Sequence, residues 1–203
     1  GGARRRALDA TEDRVAVVGG GGRSVTILDV ASGASTTFSS GAAAAVSGWW
    51  VGSDLVVASV DRRCGAWRDG VCVATLAPVA DNALGAVTAV ASGGLNRWVV
   101  GDSRGRVALV EDGVLLWRAD AHPKNAVLAV QFDGKMVHSF GRDGKMATFE
   151  VENEKPHLAS IRPLHVSVSG VCGDVAWGVV GAELVVLDVA THTRRATVAG
   201  TNR

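Results

Sequence analysis

Apolar residues in this chain fall into short runs broken by glycine and aspartate, and the pattern is clearest from Ala121 to Val151. Three runs lie there: AVLAVQF (Ala126–Phe132), KMVHSF (Lys135–Phe140) and KMATFEV (Lys145–Val151). Asp133-Gly134 and Arg142-Asp143-Gly144 separate them, which is turn chemistry, because Gly tolerates positive φ and Asp bonds its own backbone. The runs are too short for buried helices and rich enough in Val and Phe for strands. Three strands joined by tight turns predict an antiparallel meander, and LASIRPL (Leu158–Leu164) supplies a fourth strand.

The same unit recurs with less fidelity along the whole chain. Third-strand runs VTILD, CGAWR, VALVE, MATFE and LVVLD carry the markers Leu28, Trp67, Val110, Phe149 and Leu187, spaced by 39, 43, 39 and 38 residues. A period of about 40 residues is that of a four-stranded propeller blade. The repeats are approximately 4–40, 41–78, 85–120, 121–162 and 163–200, read as one all-β domain. No segment shows a helical period. GAAAAV permits a helix but lies where an inner strand is due.

The anchor repeat resembles a WD40 repeat residue by residue. Ala121-His122 occupies the place of the family's Gly-His dipeptide, and Asp143 lies in the turn six residues ahead of Phe149, which takes the place of the signature Trp. Glu150 replaces the following Asp, and Ser139 sits where the family has a strand Ser. The resemblance implies that His122, Ser139 and Asp143 join in a buried hydrogen-bond network, incomplete here because the indole donor is missing. Asp61, six residues before Trp67, matches the turn Asp in the second repeat. The implied fold is a WD40-like β-propeller or partial propeller of about five blades. Five repeats fall short of the family's usual seven. An open arrangement exposes apolar blade faces at both ends, a liability without a covering partner. The reading favours a fragment, or an incomplete ring completed by another chain, over a closed five-bladed ring.

Composition adds limits. Apolar residues make up 47% of the chain, ample for a core. No run reaches the roughly 20 residues of a membrane span. No secretory signal pattern accompanies the opening GGARRR. A net charge of +1 excludes strong global steering toward nucleic acid or membrane. Cys64, Cys72 and Cys172 are an odd set. A two-residue Asp69-Gly70 turn sets Cys72 against Trp67 rather than Cys64, so three buried thiols in a reducing compartment, cytoplasm or nucleus, are expected.

Candidate chemistry is sparse. Gly101-Asp102-Ser103-Arg104-Gly105 matches G-x-S-x-G literally, but the next residues, VALVEDGVLLW, read as a hairpin and not as the helix of a nucleophile elbow. Gly19–Gly22 lacks the phosphate-loop spacing and a helix after it. His122, His138, His157, His165 and His192 are scattered, and no cysteine has a C-x-x-C partner. Neither a metal, a cofactor, a small-molecule substrate nor a catalytic role is expected.

Charge sorts by turn. Second-to-third strand turns carry Arg23, Arg62, Arg63, Arg104, Arg106, Arg142 and Lys145 against Asp61, Asp102, Asp143 and Glu183. The other hairpin turns collect Glu12, Asp13, Asp54, Asp69, Glu111, Asp112, Asp133, Glu152, Glu154 and Asp174. Guanidinium forks suit carboxylate and phosphate partners. The basic turns are therefore read as binding an acidic or phosphorylated peptide, with Trp50 as an exposed aromatic anchor. The function expected is a non-catalytic interaction scaffold within a larger complex. The runner-up is an RNA-contacting propeller subunit of a ribonucleoprotein, with a propeller enzyme behind both.

Overall fold

The computed structural model describes residues 8–11, 13–18, 23–41, 45–51, 53–59, 64–76, 84–92, 97–112, 114–152, 155–172, 174–191 and 193–199. Asp61, Arg62, Arg63, Glu12, Glu154, His192, the Gly19–Gly22 run and the Arg4–Arg6 triplet fall outside them.

Every described element is a strand or a turn, and the strands form five four-stranded antiparallel sheets, each in simple sequential order. Sheet 1 holds β1 (Leu8–Ala10), β2 (Arg14–Val18), β3 (Ser24–Asp29) and β4 (Ser35–Ser39). Sheet 2 holds β5 (Ala45–Val51), β6 (Asp54–Ser59), β7 (Cys64–Arg68) and β8 (Val71–Leu76). Sheet 3 holds β9 (Val87–Ser92), β10 (Arg97–Asp102), β11 (Arg106–Glu111) and β12 (Val114–Asp120). Sheet 4 holds β13 (Val127–Phe132), β14 (Met136–Gly141), β15 (Lys145–Glu152) and β16 (Lys155–Pro163). Sheet 5 holds β17 (Ser167–Cys172), β18 (Val175–Val180), β19 (Glu183–Asp188) and β20 (Arg194–Ala199).

The chain divides into two compact units, residues 1–87 with 112–114, and residues 88–111 with 115–203. In the first, sheets 1 and 2 pack through Ala16, Val18 and Val25 against Ala45, Leu55 and Val57, with Ile27, Phe38, Trp50 and Trp67 around them. Phe38 and Trp67 lie with ring centroids 4.8 Å apart. In the second unit, sheet 3 meets sheet 4 through Val99, Val107 and Leu109 against Val137, Ala147 and Phe149. Sheet 4 meets sheet 5 through Phe140 and Met146 against Ala176, Val185 and Leu187. Each large apolar side chain buried this way contributes about 1.5–3 kcal/mol. These faces alternate because successive strand residues point to opposite sides of a sheet.

Two irregularities recur. The register shifts within the first strand of sheets 2, 4 and 5, and again beside Trp67, Phe149 and Leu187, where the third strand meets the fourth. An extra residue of this kind bends its strand and increases local twist.

The cysteine expectation needs correction. Cys64 is buried, and burial pushes its thiol up to about 12, but Cys72 is exposed. It does pair with Trp67, as the turn demanded, yet β8 is the outermost strand of its sheet and Cys72 lies at its solvent side. The side chain of Cys172 is not described.

Candidate functional site

The described basic turns that come together belong to sheets 3 and 4, and their backbone is tied to the connector between the sheets. Gly105 O accepts from both Ala121 N (2.9 Å) and His122 N (2.8 Å), Asn125 N donates to His122 O, and Arg142 N donates to Ala126 O. Residues 121–126 are thus clasped between the β10–β11 and β14–β15 turns. Gly105 has φ +87°, and a Cβ there would lie 1.7 Å from His122 O, so only glycine fits.

Carboxylates in these turns are committed to the fold. Asp102, fully buried, accepts from Arg104 N and Arg106 N at 2.8 Å each. Its place in the sequence suggests a free charge, but the structure makes it the brace of its own turn. Asp143 Oδ1 accepts from Lys145 N and lies 3.1 Å from His122 Nδ1. On the other side of the ring, His122 Nε2 lies 3.0 Å from Ser139 Oγ, which is also 3.3 Å from the Ala147 carbonyl oxygen. Burial holds the His122 imidazole below its ordinary value, with the Asp143 carboxylate opposing the shift. A neutral ring protonated at Nδ1 donates to Asp143, while the single Ser139 hydroxyl proton is directed to the Ala147 carbonyl oxygen and Oγ lies 3.0 Å from Nε2. Gly141 lies flat against this network: a Cβ there would be 2.3 Å from His122 Nδ1. The three side chains share the order of contacts of a nucleophile–base–acid triad, but Ser139 has no exposed surface.

Cations at the same ends of sheets 3 and 4 stay on the surface. Arg104, Lys124, Arg142 and Lys145 are all exposed, while Arg106 is half-buried with Nε 3.4 Å from Asp120. Among the described residues, the side chains of Lys124, Arg142 and Lys145 form no ion pair. Lys124 adds a cation that turn counting misses, and it adopts φ +65°, as does exposed His165 with φ +56° in the next connector. The signal for both lies in strand parity. In a four-stranded meander, the link from the fourth strand to the next first strand returns to the end that carries the second-to-third turn. Arg23 is exposed in the first unit. Trp50 is half-buried in the core between sheets 1 and 2, with the Arg14 guanidinium 5.5 Å over its ring, so it is packed rather than presented.

The opposite ends are less acidic than their sequence implies, because cross-strand arginines neutralise them. Arg68 grips Asp54 through two bonds of 2.7 and 3.0 Å, Arg97 meets Glu111 at 2.7 Å, and Arg195 bridges Asp174 and Asp188. A cleft of about 310 Å³ in the first unit is lined by Asp13, Arg14, Asp29 and Asp69 over Ile27, Ala34 and Thr36. Its acids are engaged as well: Asp29 holds Ser32, Asp13 accepts from Thr11, and Arg14 lies 3.9 Å from Asp69. Among the described residues no three His, Cys, Asp or Glu side chains cluster as metal ligands.

Comparison with solved structures yields the fold. A chain in the crystal structure of the Mitotic Checkpoint Complex superposes with a TM-score of 0.73 at 17% identity, over 100% of this chain and 68% of that one. BamB from Moraxella catarrhalis matches with a TM-score of 0.64 at 13% identity, over 96% and 61%. The computationally designed Ika8 protein matches with 0.66 at 18%, over 97% and 62%. This chain therefore spans between three fifths and about two thirds of the proteins it resembles. No protein-family model and no curated protein matches the sequence. The fold is all-β and of the WD40-like β-propeller type, built from five four-stranded antiparallel sheets.

Proposed function

We propose that this chain is a non-catalytic scaffold that binds protein partners, and that the turn end of sheets 3 and 4 receives an acidic or phosphorylated segment. One observation carries the reading. Lys124, Arg142 and Lys145 are exposed around a single clasped connector, while Asp102 and Asp143 of the adjoining turns are consumed by structural hydrogen bonds. Asp102 and Asp143 are therefore turned inward to the fold, and Asp120, exposed at the start of the connector, lies 3.4 Å from Arg106. Exposed Arg104 borders the same connector. Arginine forks pair with carboxylate or phosphate oxygens through two parallel bonds, and lysines add point charge. That the proteins of similar fold include a chain of a checkpoint complex supports a partner-binding role.

The test is fluorescence anisotropy with a labelled peptide of alternating Glu and Ser, in plain and phosphoserine forms. Binding should weaken by about tenfold or more in Arg142→Glu/Lys145→Glu, since charge-assisted bonds contribute about 1.5–3 kcal/mol each. Affinity unchanged by that double reversal rejects the surface. A single-stranded RNA that binds more tightly than either peptide, with affinity falling steeply with salt, transfers the surface to the nucleic-acid reading.

A further inference from the structure

Sheet 4 is apolar out to its edge on one side only. Directly opposed residues of β15 and β16 share a face, so Ala147 with Ile161 and Phe149 with Leu158 lie on one side, and Met146 with Arg162 and Thr148 with Ser160 on the other. The register shift beside Phe149 leaves Ala159 as the extra residue, which is what puts Leu158 and Ile161, three apart in sequence, on the same side. That side faces sheet 3, because Ala147 and Phe149 belong to the cluster the two sheets share.

Sheet 3 covers only the inner part of it. Val137 and Ala147 are fully buried, whereas Ile161 is 47% and Leu158 55% exposed. Across from them on β12, Trp117 is buried with its ring centroid 6.3 Å from that of Phe149, and Leu116 and Ala119 are half-buried. β12 and β16 are the outermost strands of their sheets, and together they bound an open apolar strip. Sheets 3 and 4 are already packed on each other inside the second unit, so no further sheet fits between them.

The basic turn stands at the head of this strip. Lys145, exposed, opposes Pro163 on the face that carries Ile161, two residues or about 7 Å along the strand. The connector that bears Lys124 is clasped to the same turn.

Building on the basic surface proposed above, we propose that this strip receives the aliphatic side chains of the same bound segment. The partner is then an extended peptide with an acidic or phosphorylated residue followed, at alternate positions, by Leu or Ile. Charge complementarity with Arg142 and Lys145 fixes one end of the occupant. In an extended chain every second side chain points the same way, about 7 Å apart, which is the step from Lys145 to Ile161. Among the described strands β16 pairs with β15 alone, and the outer backbone groups of such an edge suit a peptide main chain rather than an acyl chain.

Fluorescence anisotropy tests this with two labelled peptides, pSer-Ser-Leu-Ser-Leu-Ser and the same peptide with Ser at both Leu positions, each also in reversed order. In the direction that binds more tightly, the Leu peptide should bind wild-type protein about tenfold more tightly than the Ser peptide. Leu158→Thr/Ile161→Thr keeps residues suited to a strand and should erase most of that preference, with circular dichroism checking the fold. Arg142→Glu/Lys145→Glu should weaken both peptides. Leu and Ser peptides that bind alike, both weakened by the charge reversal, overturn the apolar strip and leave the basic surface standing. A Leu preference that survives the threonine substitutions overturns the strip as well. Affinity for both peptides untouched by the charge reversal removes the basic surface and the peptide docking with it. Dodecyl phosphate binding more tightly than the Leu peptide replaces the peptide with a lipid and also overturns the assignment.

Discussion

His122 Nδ1 lies 3.1 Å from Asp143 Oδ1, a contact that spans the connector into sheet 4 and the β14–β15 turn of the same sheet. It fixes the loop that bears Lys124 to the turn that bears Arg142 and Lys145. Removing one partner leaves the other buried without a full complement of bonds. Asp143→Ala should therefore cost about 1–3 kcal/mol. Thermal unfolding should show this as a fall of about 2–4 °C per kcal/mol for a chain of this size. His122→Ala/Asp143→Ala should cost less than the two single losses added together, because both partners are then gone.

The same histidine sets a pH dependence. Burial keeps its folded value below the ordinary 6.5. As pH falls below that value the unfolded chain takes up a proton that the folded ring resists, so the unfolded state gains. The urea midpoint should hold above the ordinary value and drop on acidification toward the folded one. His122→Gln should flatten that drop. A midpoint equally pH-sensitive in the variant assigns the effect to other groups.

Asp188 governs a more acidic range. The Thr191 backbone N–H, and then the Arg195 guanidinium, lower it from 3.8 to about 2. Its contribution is complete above the ordinary value and is lost as pH falls through about 2. Carboxylate titration followed by NMR should find Asp188 among the last to protonate, and Arg195→Gln should move it upward.

Gly105 and Gly134 both have positive φ, +87° and +100°, but differ in their surroundings. A Cβ on Gly105 meets His122 O at 1.7 Å, whereas one on Gly134 meets nothing within 4 Å. Gly134→Ala should cost only the left-handed penalty, about 1–2 kcal/mol. Gly105→Ala must in addition displace the connector, so it should give markedly less soluble protein and a lower melting temperature than Gly134→Ala.

Thiol reactivity should separate the cysteines. In a Cys172→Ser background, a disulfide reagent should label exposed Cys72 quickly in the native protein. Buried Cys64, held protonated up to about 12, should label only after unfolding. Two fast thiols in the native state contradict the packing of β7.

The sequence by itself determined the strand meander, the period and the turn chemistry, because these depend on residues close together in the chain. Asp-Gly turns and short Val-rich runs were enough to place β13, β14 and β15 to within about a residue at each end, whereas β16 begins at Lys155 and ends at Pro163 rather than running from Leu158 to Leu164. Tertiary structure decided which charges are spent on the fold. Asp102 looks like a surface acid until its burial and its two turn amides are seen. The recurrent register shifts beside Trp67, Phe149 and Leu187 left no sequence signal, since a bulge arises from how two strands twist together. Burial is likewise set by neighbours far away in the chain: Met146 and Leu184 hold equivalent places in their repeats, and only the sheet packed on Met146 makes one of them core and the other surface.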